Sequence, residues 1–202
     1  MYSSEVYARL CKTSYEYEEL REKVITELLG DMFQIVPEYT NRDILTVREG
    51  DMYTVALRGT DLVRDPYRAF SDLFQDVNIA IGKNDRVYRI DQASAVLQEM
   101  FKHISKERII LTGHSLGGFV GANLAERYQM KAVLFNIGCS PLDAVGVRRG
   151  LKNITHYTTN NLGVFPPVID VLSVSSLFIY RFPYYIVPVK SGLSKHTIEN
   201  FI

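Results

Sequence analysis

The stretch Ile109-Ile110-Leu111-Thr112-Gly113-His114-Ser115-Leu116-Gly117-Gly118 constrains this chain more tightly than any other. A short apolar run of the kind that forms a buried strand leads into the pattern Gly-x-Ser-x-Gly, and helical spacing begins directly after it. A serine on so sharp a strand-to-helix turn forces two backbones close together, so the positions two before and two after it must lack side chains. Gly113 and Gly117 meet that demand. The small residues Gly118, Gly121, Ala122 and Ala125 continue it, giving the following helix a face that can lie close against a sheet.

The rest of the chain alternates in the same way. Residues 4–29 carry apolar positions at roughly helical spacing and stop at Gly30, which predicts one or two opening helices. Residues 44–48 and 52–58 are rich in strand-forming side chains around Glu49-Gly50-Asp51, the signature of a hairpin. Residues 61–83 read as a long connection, 85–105 as a helix and 115–128 as another. Strands are expected at 109–111, 132–137, 153–159 and 177–187. Helices alternating with buried strands predict one α/β domain over residues 1–202, a mostly parallel sheet with helices on both faces and an antiparallel hairpin early on.

Charge and cysteine content exclude several classes. Twenty-three basic residues balance twenty-three acidic ones, which leaves no electrostatic footprint for nucleic acid. Cys11 and Cys139 are too few for a disulfide scaffold and are expected to be reduced. The first twenty residues are charged throughout and lack the apolar core of a signal peptide, and Arg181, Pro183 and Pro188 interrupt the apolar stretch 171–189. An intracellular, cytoplasmic location is the expectation. No paired cysteine or histidine spacing calls for a metal, and no glycine-rich phosphate loop calls for a nucleotide, so no cofactor is expected. Asp72 and Asp76 read as caps of backbone amides.

A serine hydroxyl is a weak nucleophile at neutral pH and needs a base, a group to orient that base, and donors for the developing oxyanion. His196 lies beyond the last expected strand, where the order nucleophile, acid, base places the proton acceptor, whereas His103, His114 and His156 read as surface or core residues. The backbone amide of Leu116 supplies one oxyanion donor. Thr60, at the end of the strand Val55-Ala56-Leu57-Arg58-Gly59-Thr60, supplies the candidate for the second.

These segments resemble the class 3 lipases of the α/β-hydrolase superfamily. Residues 55–60 are similar to that family's oxyanion strand, Gly113-His114-Ser115-Leu116-Gly117-Gly118 to its nucleophile turn, and His196-Thr197-Ile198-Glu199 to the segment around its histidine. Asp72 and Asp76 keep the spacing of a family segment between the first two, and Gly138-Cys139-Ser140-Pro141 resembles its Gly-Ser-Pro loop. The likeness runs from about residue 51 to the end. It implies an α/β-hydrolase fold and a serine esterase or lipase acting through an acyl-enzyme. The chain departs from the family at the acid: residues 158–166, where an aspartate is usual, hold no carboxylate. Asp170 is the first candidate, Asp143 the second, and Asn160 or Asn161 could serve as a neutral orienter.

The expected substrate is a lipid or other acyl ester. The aromatic stretch 177–185 and the run Val164-Phe165-Pro166-Pro167 could line an acyl groove, touch a membrane surface peripherally, or simply complete the last strand and its core. The missing aspartate leaves open a catalytically silent member that binds lipid or a protein partner through the same groove.

Overall fold

The computed structural model describes residues 2–59, 83–137, 153–159, 184–188 and 198–202, with the backbone alone at 83–87 and 184. Two helices, α1 (Ser4–Ser14) and α2 (Glu18–Leu29), open the chain. Glu18 and Glu19 lie in the first turn of α2, where carboxylates favour the positive end of the helix dipole, and Gly30 ends it at φ 78°. Buried Arg21 ties this corner together by donating to the carbonyls of Ser14, Glu16, Asn41 and Arg42 at 2.6–3.2 Å.

A two-residue strand, β1 (Gln34–Ile35), and a 3-10 turn (Pro37–Tyr39) precede the expected hairpin of β2 (Ile44–Glu49) and β3 (Met52–Leu57). Then come α3 (Lys83–Met100), β4 (Ile109–His114), α4 (Leu116–Tyr128), β5 (Lys131–Phe135), β6 (Ile154–Thr158) and β7 (Tyr184–Ile186). A 3-10 turn, Ile198–Phe201, closes the described chain. The helix expected over 85–105 ends at Met100, so His103 stands in the turn beyond it, exposed. Of the strand expected over 177–187, residues 177–183 lie outside the described residues.

The protein is α/β, with a seven-stranded sheet in the order β1 to β7. β1, β2 and β3 pair antiparallel, and β3 through β7 are parallel. The period-two alternation of each strand sorts its side chains between two layers. Val55, Leu57, Ile109, Leu111, Ala132 and Leu134 meet α3 and α4 through Leu97, Met100, Val120 and Leu124. Ala56, Ile110, Val133 and Phe135 face the other way, against Tyr7, Ala8, Leu10 and Cys11 of α1 and Ile198 and Phe201 of the closing turn.

Helices cover both faces for a reason that alternation along the chain does not supply. Right-handed crossovers that step through a sheet in one direction all land on one face, and α3 and α4 do share a face. The opposite face is sealed by the two ends of the chain: Lys12 lies 3.5 Å from Glu199, and the Phe135 and Phe201 rings sit 5.0 Å apart.

Candidate active site

Ser115 links β4 to α4 with φ 56° and ψ −123°, a region that side-chain-bearing residues rarely occupy and that costs about 1–3 kcal/mol. The surroundings hold it there. Its amide donates to the Phe135 carbonyl at 3.1 Å, and its carbonyl accepts the Phe119 amide at 3.1 Å, closing the first turn of α4. The two flanking glycines are required sterically. A Cβ on Gly113 would strike the Gly117 carbonyl, and one on Gly117 would strike the Leu57 carbonyl at the end of β3. Gly117 and Gly118 at the start of α4 and Gly121 further along it forfeit about 1 kcal/mol each in helix propensity. Burial of Phe119, Val120 and Leu124, about 1.5–3 kcal/mol apiece, offsets that loss because the missing side chains let α4 lie close to the sheet. Ser115 is largely buried, and its hydroxyl does not cap the helix it precedes.

The exit of β3 lies beside this turn, with Leu57 in register with Gly113. The Arg58 amide donates to the Asp43 carbonyl at 3.0 Å, and its carbonyl accepts from the Arg89 guanidinium of α3, which lies 3.6 Å from the Asp43 carboxylate. Burial lowers the pKa of Arg89, and the Asp43 carboxylate works against that shift. From the other side, the Tyr15 hydroxyl approaches His114 Nδ1 at 3.0 Å, and a Cβ on Gly59 would strike that hydroxyl. Neither Tyr15 nor Arg89 stood out in the sequence. Their contacts, 99 residues apart for Tyr15 and His114 and 31 for Arg89 and Arg58, leave no local signal.

At the ends of β5 and β6, Asn136 takes φ 38° and buries its side-chain oxygen against the Thr159 amide at 3.0 Å. Asparagine tolerates the left-handed region better than most residues, which is the one sequence hint this position offered. His156 is wholly buried on β6, where its Nε2 accepts the Ile137 amide at 3.4 Å. Burial drives its pKa down to about 3, so it is a neutral core residue, in keeping with its sequence reading.

Of the residues singled out in the sequence, Ser115 and Leu116 are placed at the turn. Thr60, Asp143, Asn160, Asn161, Asp170 and His196 lie outside the described residues, as do Asp72, Asp76 and residues 138–141, 164–167 and 177–183. β3, β5, β6 and β7 run parallel to β4, so their carboxyl ends lie at the same edge of the sheet as Ser115. In open α/β sheets, ligands bind outside the carboxyl ends of the strands. Among the described residues, no cluster of three histidine, cysteine or carboxylate side chains could hold a metal, and no helix is long and apolar enough to cross a membrane.

The elements therefore define an α/β protein that carries a serine on a strained strand-to-helix turn at the carboxyl edge of its sheet. A family model described as a Tle-like phospholipase domain matches residues 5–160, most of the chain, and the protein belongs to this phospholipase-like family. No curated protein matches it.

Proposed function

We propose that the protein is a serine carboxylic-ester hydrolase of the α/β-hydrolase type, similar to the class 3 lipases, that cleaves acyl esters of phospholipids or acylglycerols. The observation that carries this reading is the conformation of Ser115, φ 56° and ψ −123° between β4 and α4, the strained strand-to-helix turn on which a nucleophilic serine is expected. Membership of a phospholipase-like family supports a lipid substrate. Ser115 Oγ attacks the ester carbonyl carbon as His196 takes its proton. The oxyanion is held by the amides of Leu116 and Thr60, donors fixed before the charge develops. Collapse expels the alcohol, which takes the proton back from His196 and leaves an acyl-enzyme; water then repeats the sequence and releases the acid. Asp170 orients the imidazole, with Asp143 second. Ile198, two residues beyond His196, is buried in the cluster of Phe135, whose carbonyl holds the Ser115 amide. That proximity favours His196 as the base.

The test is labelling with a fluorophosphonate, whose fluoride the Ser115 oxygen displaces, beside release of fatty acid from phosphatidylcholine vesicles. Wild type should do both and Ser115→Ala neither. A Ser115→Ala protein that still releases fatty acid would remove the serine mechanism. A folded wild type inert in both assays would favour the second reading, a lipid-binding or partner-binding protein without turnover, which the absence of a carboxylate at residues 158–166 supports.

A further inference from the structure

We propose that Tyr15 is a positioning residue for ester hydrolysis, its hydroxyl setting the spacing between the exit of β3 and the nucleophile turn. The inference rests on the serine-hydrolase reading above and deepens it. Two segments must be held at a fixed separation for an oxyanion to be bound: one is the turn that carries the Leu116 amide, and the other is the end of β3 that leads into Thr60. Strand pairing reaches only as far as Leu57 and Gly113. Beyond that register, a tyrosine from the end of α1 takes over.

Tyr15 stands directly after α1, and its amide, bonded to the Lys12 carbonyl at 3.1 Å, finishes that helix. Its hydroxyl lies 3.0 Å from His114 Nδ1, on the residue immediately before Ser115. The same hydroxyl lies against Gly59: a Cβ there would strike it and would come within 2.5 Å of the His114 carbonyl. Gly59, the tyrosine hydroxyl and His114 are thus packed with no room for a methyl group. The Arg58 guanidinium lies 5.8 Å from the centre of the Tyr15 ring, and Arg89 holds the Arg58 carbonyl from the opposite face of the sheet. The exit of β3 is consequently fixed from both faces, by Tyr15 on one and Arg89 on the other.

Burial raises the pKa of the Tyr15 hydroxyl well above its ordinary value, so it keeps its proton and meets His114 Nδ1 as a neutral hydroxyl. A contact of that kind does not touch the substrate. Its effect on rate comes through geometry, and a misplacement of about 1 Å in a catalytic group can cost about 10²-fold.

The experiment uses Tyr15→Phe, which removes one oxygen and keeps the ring. It measures hydrolysis of a short-chain p-nitrophenyl ester and inhibition by an alkyl trifluoromethyl ketone. Ser115 Oγ adds to the ketone carbon, its proton passes to His196, and the former carbonyl oxygen becomes an oxyanion with nothing expelled, so the inhibition constant reads oxyanion binding directly. We expect kcat to fall by about ten- to a hundredfold with KM within about twofold, and the inhibition constant to rise by a similar factor. A merely structural tyrosine would lower the concentration of active protein and leave the inhibition constant unchanged. Because that constant does not depend on how much of the sample is folded, it remains readable in a destabilised variant. Gly59→Ala, which pushes the same layer apart from the other side, should shift it in the same direction.

Ser115-dependent turnover in wild type with an unaltered inhibition constant in Tyr15→Phe would overturn this inference and leave the hydrolase reading standing. A wild type that neither cleaves the ester nor binds the ketone would overturn both.

Discussion

Ser115 stores strain at φ 56° that a glycine at the same place would relieve, and under the proposed mechanism its oxygen is the nucleophile. Oγ is useful only with a base in the right tautomer, so the orienting group decides the rate. A carboxylate can only accept from the imidazole, whereas an amide can also donate and so reverse that hydrogen bond. Asp170→Asn should therefore keep the fold and lower kcat by up to about 10⁴, while Asp143→Asn leaves it near wild type. Ester hydrolysis by both variants beside Ser115→Ala checks the assignment. A large loss confined to the Asp143 variant would move the acid to the connection after β5, and full activity in both would leave Asn160, Asn161 or water as the orienter.

The strand-to-helix unit works because three backbones meet without side chains between them. In an open helix, Gly→Ala gains about 1 kcal/mol. At Gly117 the new methyl would meet the Leu57 and Arg58 backbone, the Leu57 carbonyl carbon at 2.8 Å and the Arg58 carbonyl carbon at 2.9 Å, and neither can turn away as a flexible side chain would. The collision outweighs the propensity gain, so Gly117→Ala should destabilise by about 1–3 kcal/mol net. A lower urea midpoint at unchanged slope would register it. A variant as stable as wild type would mean that α4 can slide away from β3, contrary to the packing of Val120 and Leu124 under Leu57 and Leu111.

Stability of the whole molecule carries a pH dependence through His156. The unfolded chain protonates this histidine below about pH 6.5, whereas the folded protein excludes the proton until about pH 3, because burial penalises the charged ring. Between those values the unfolded state binds more protons, so stability is complete above about pH 6.5 and falls as the pH drops, by up to about 1.4 kcal/mol per unit. Urea unfolding across that window should show a shallower decline for His156→Asn than for wild type. Identical slopes would mean that the ring escapes to water when charged. The same scale explains why both ends of the chain matter. α1 and the closing turn together cover the face that α3 and α4 leave open, burying Tyr7, Phe135 and Phe201.

The sequence by itself determined the strand, turn and helix around Ser115, the early hairpin and the α/β order, because each rests on short-range physics. Period-two alternation, glycines where backbones must pass, and small residues along one helix face all act within a few positions of one another. The two-residue β1 was missed because a pair of residues shows no period; it exists by pairing with Val47 and Arg48. Tertiary structure alone decided which helices share a face, since that follows from the direction in which successive crossovers step through the sheet. It also decided that Tyr15 would reach His114, that Arg89 would hold Arg58, and that Asn136 would hold Thr159. Those contacts join residues far apart in the chain, and no window along a sequence contains both partners.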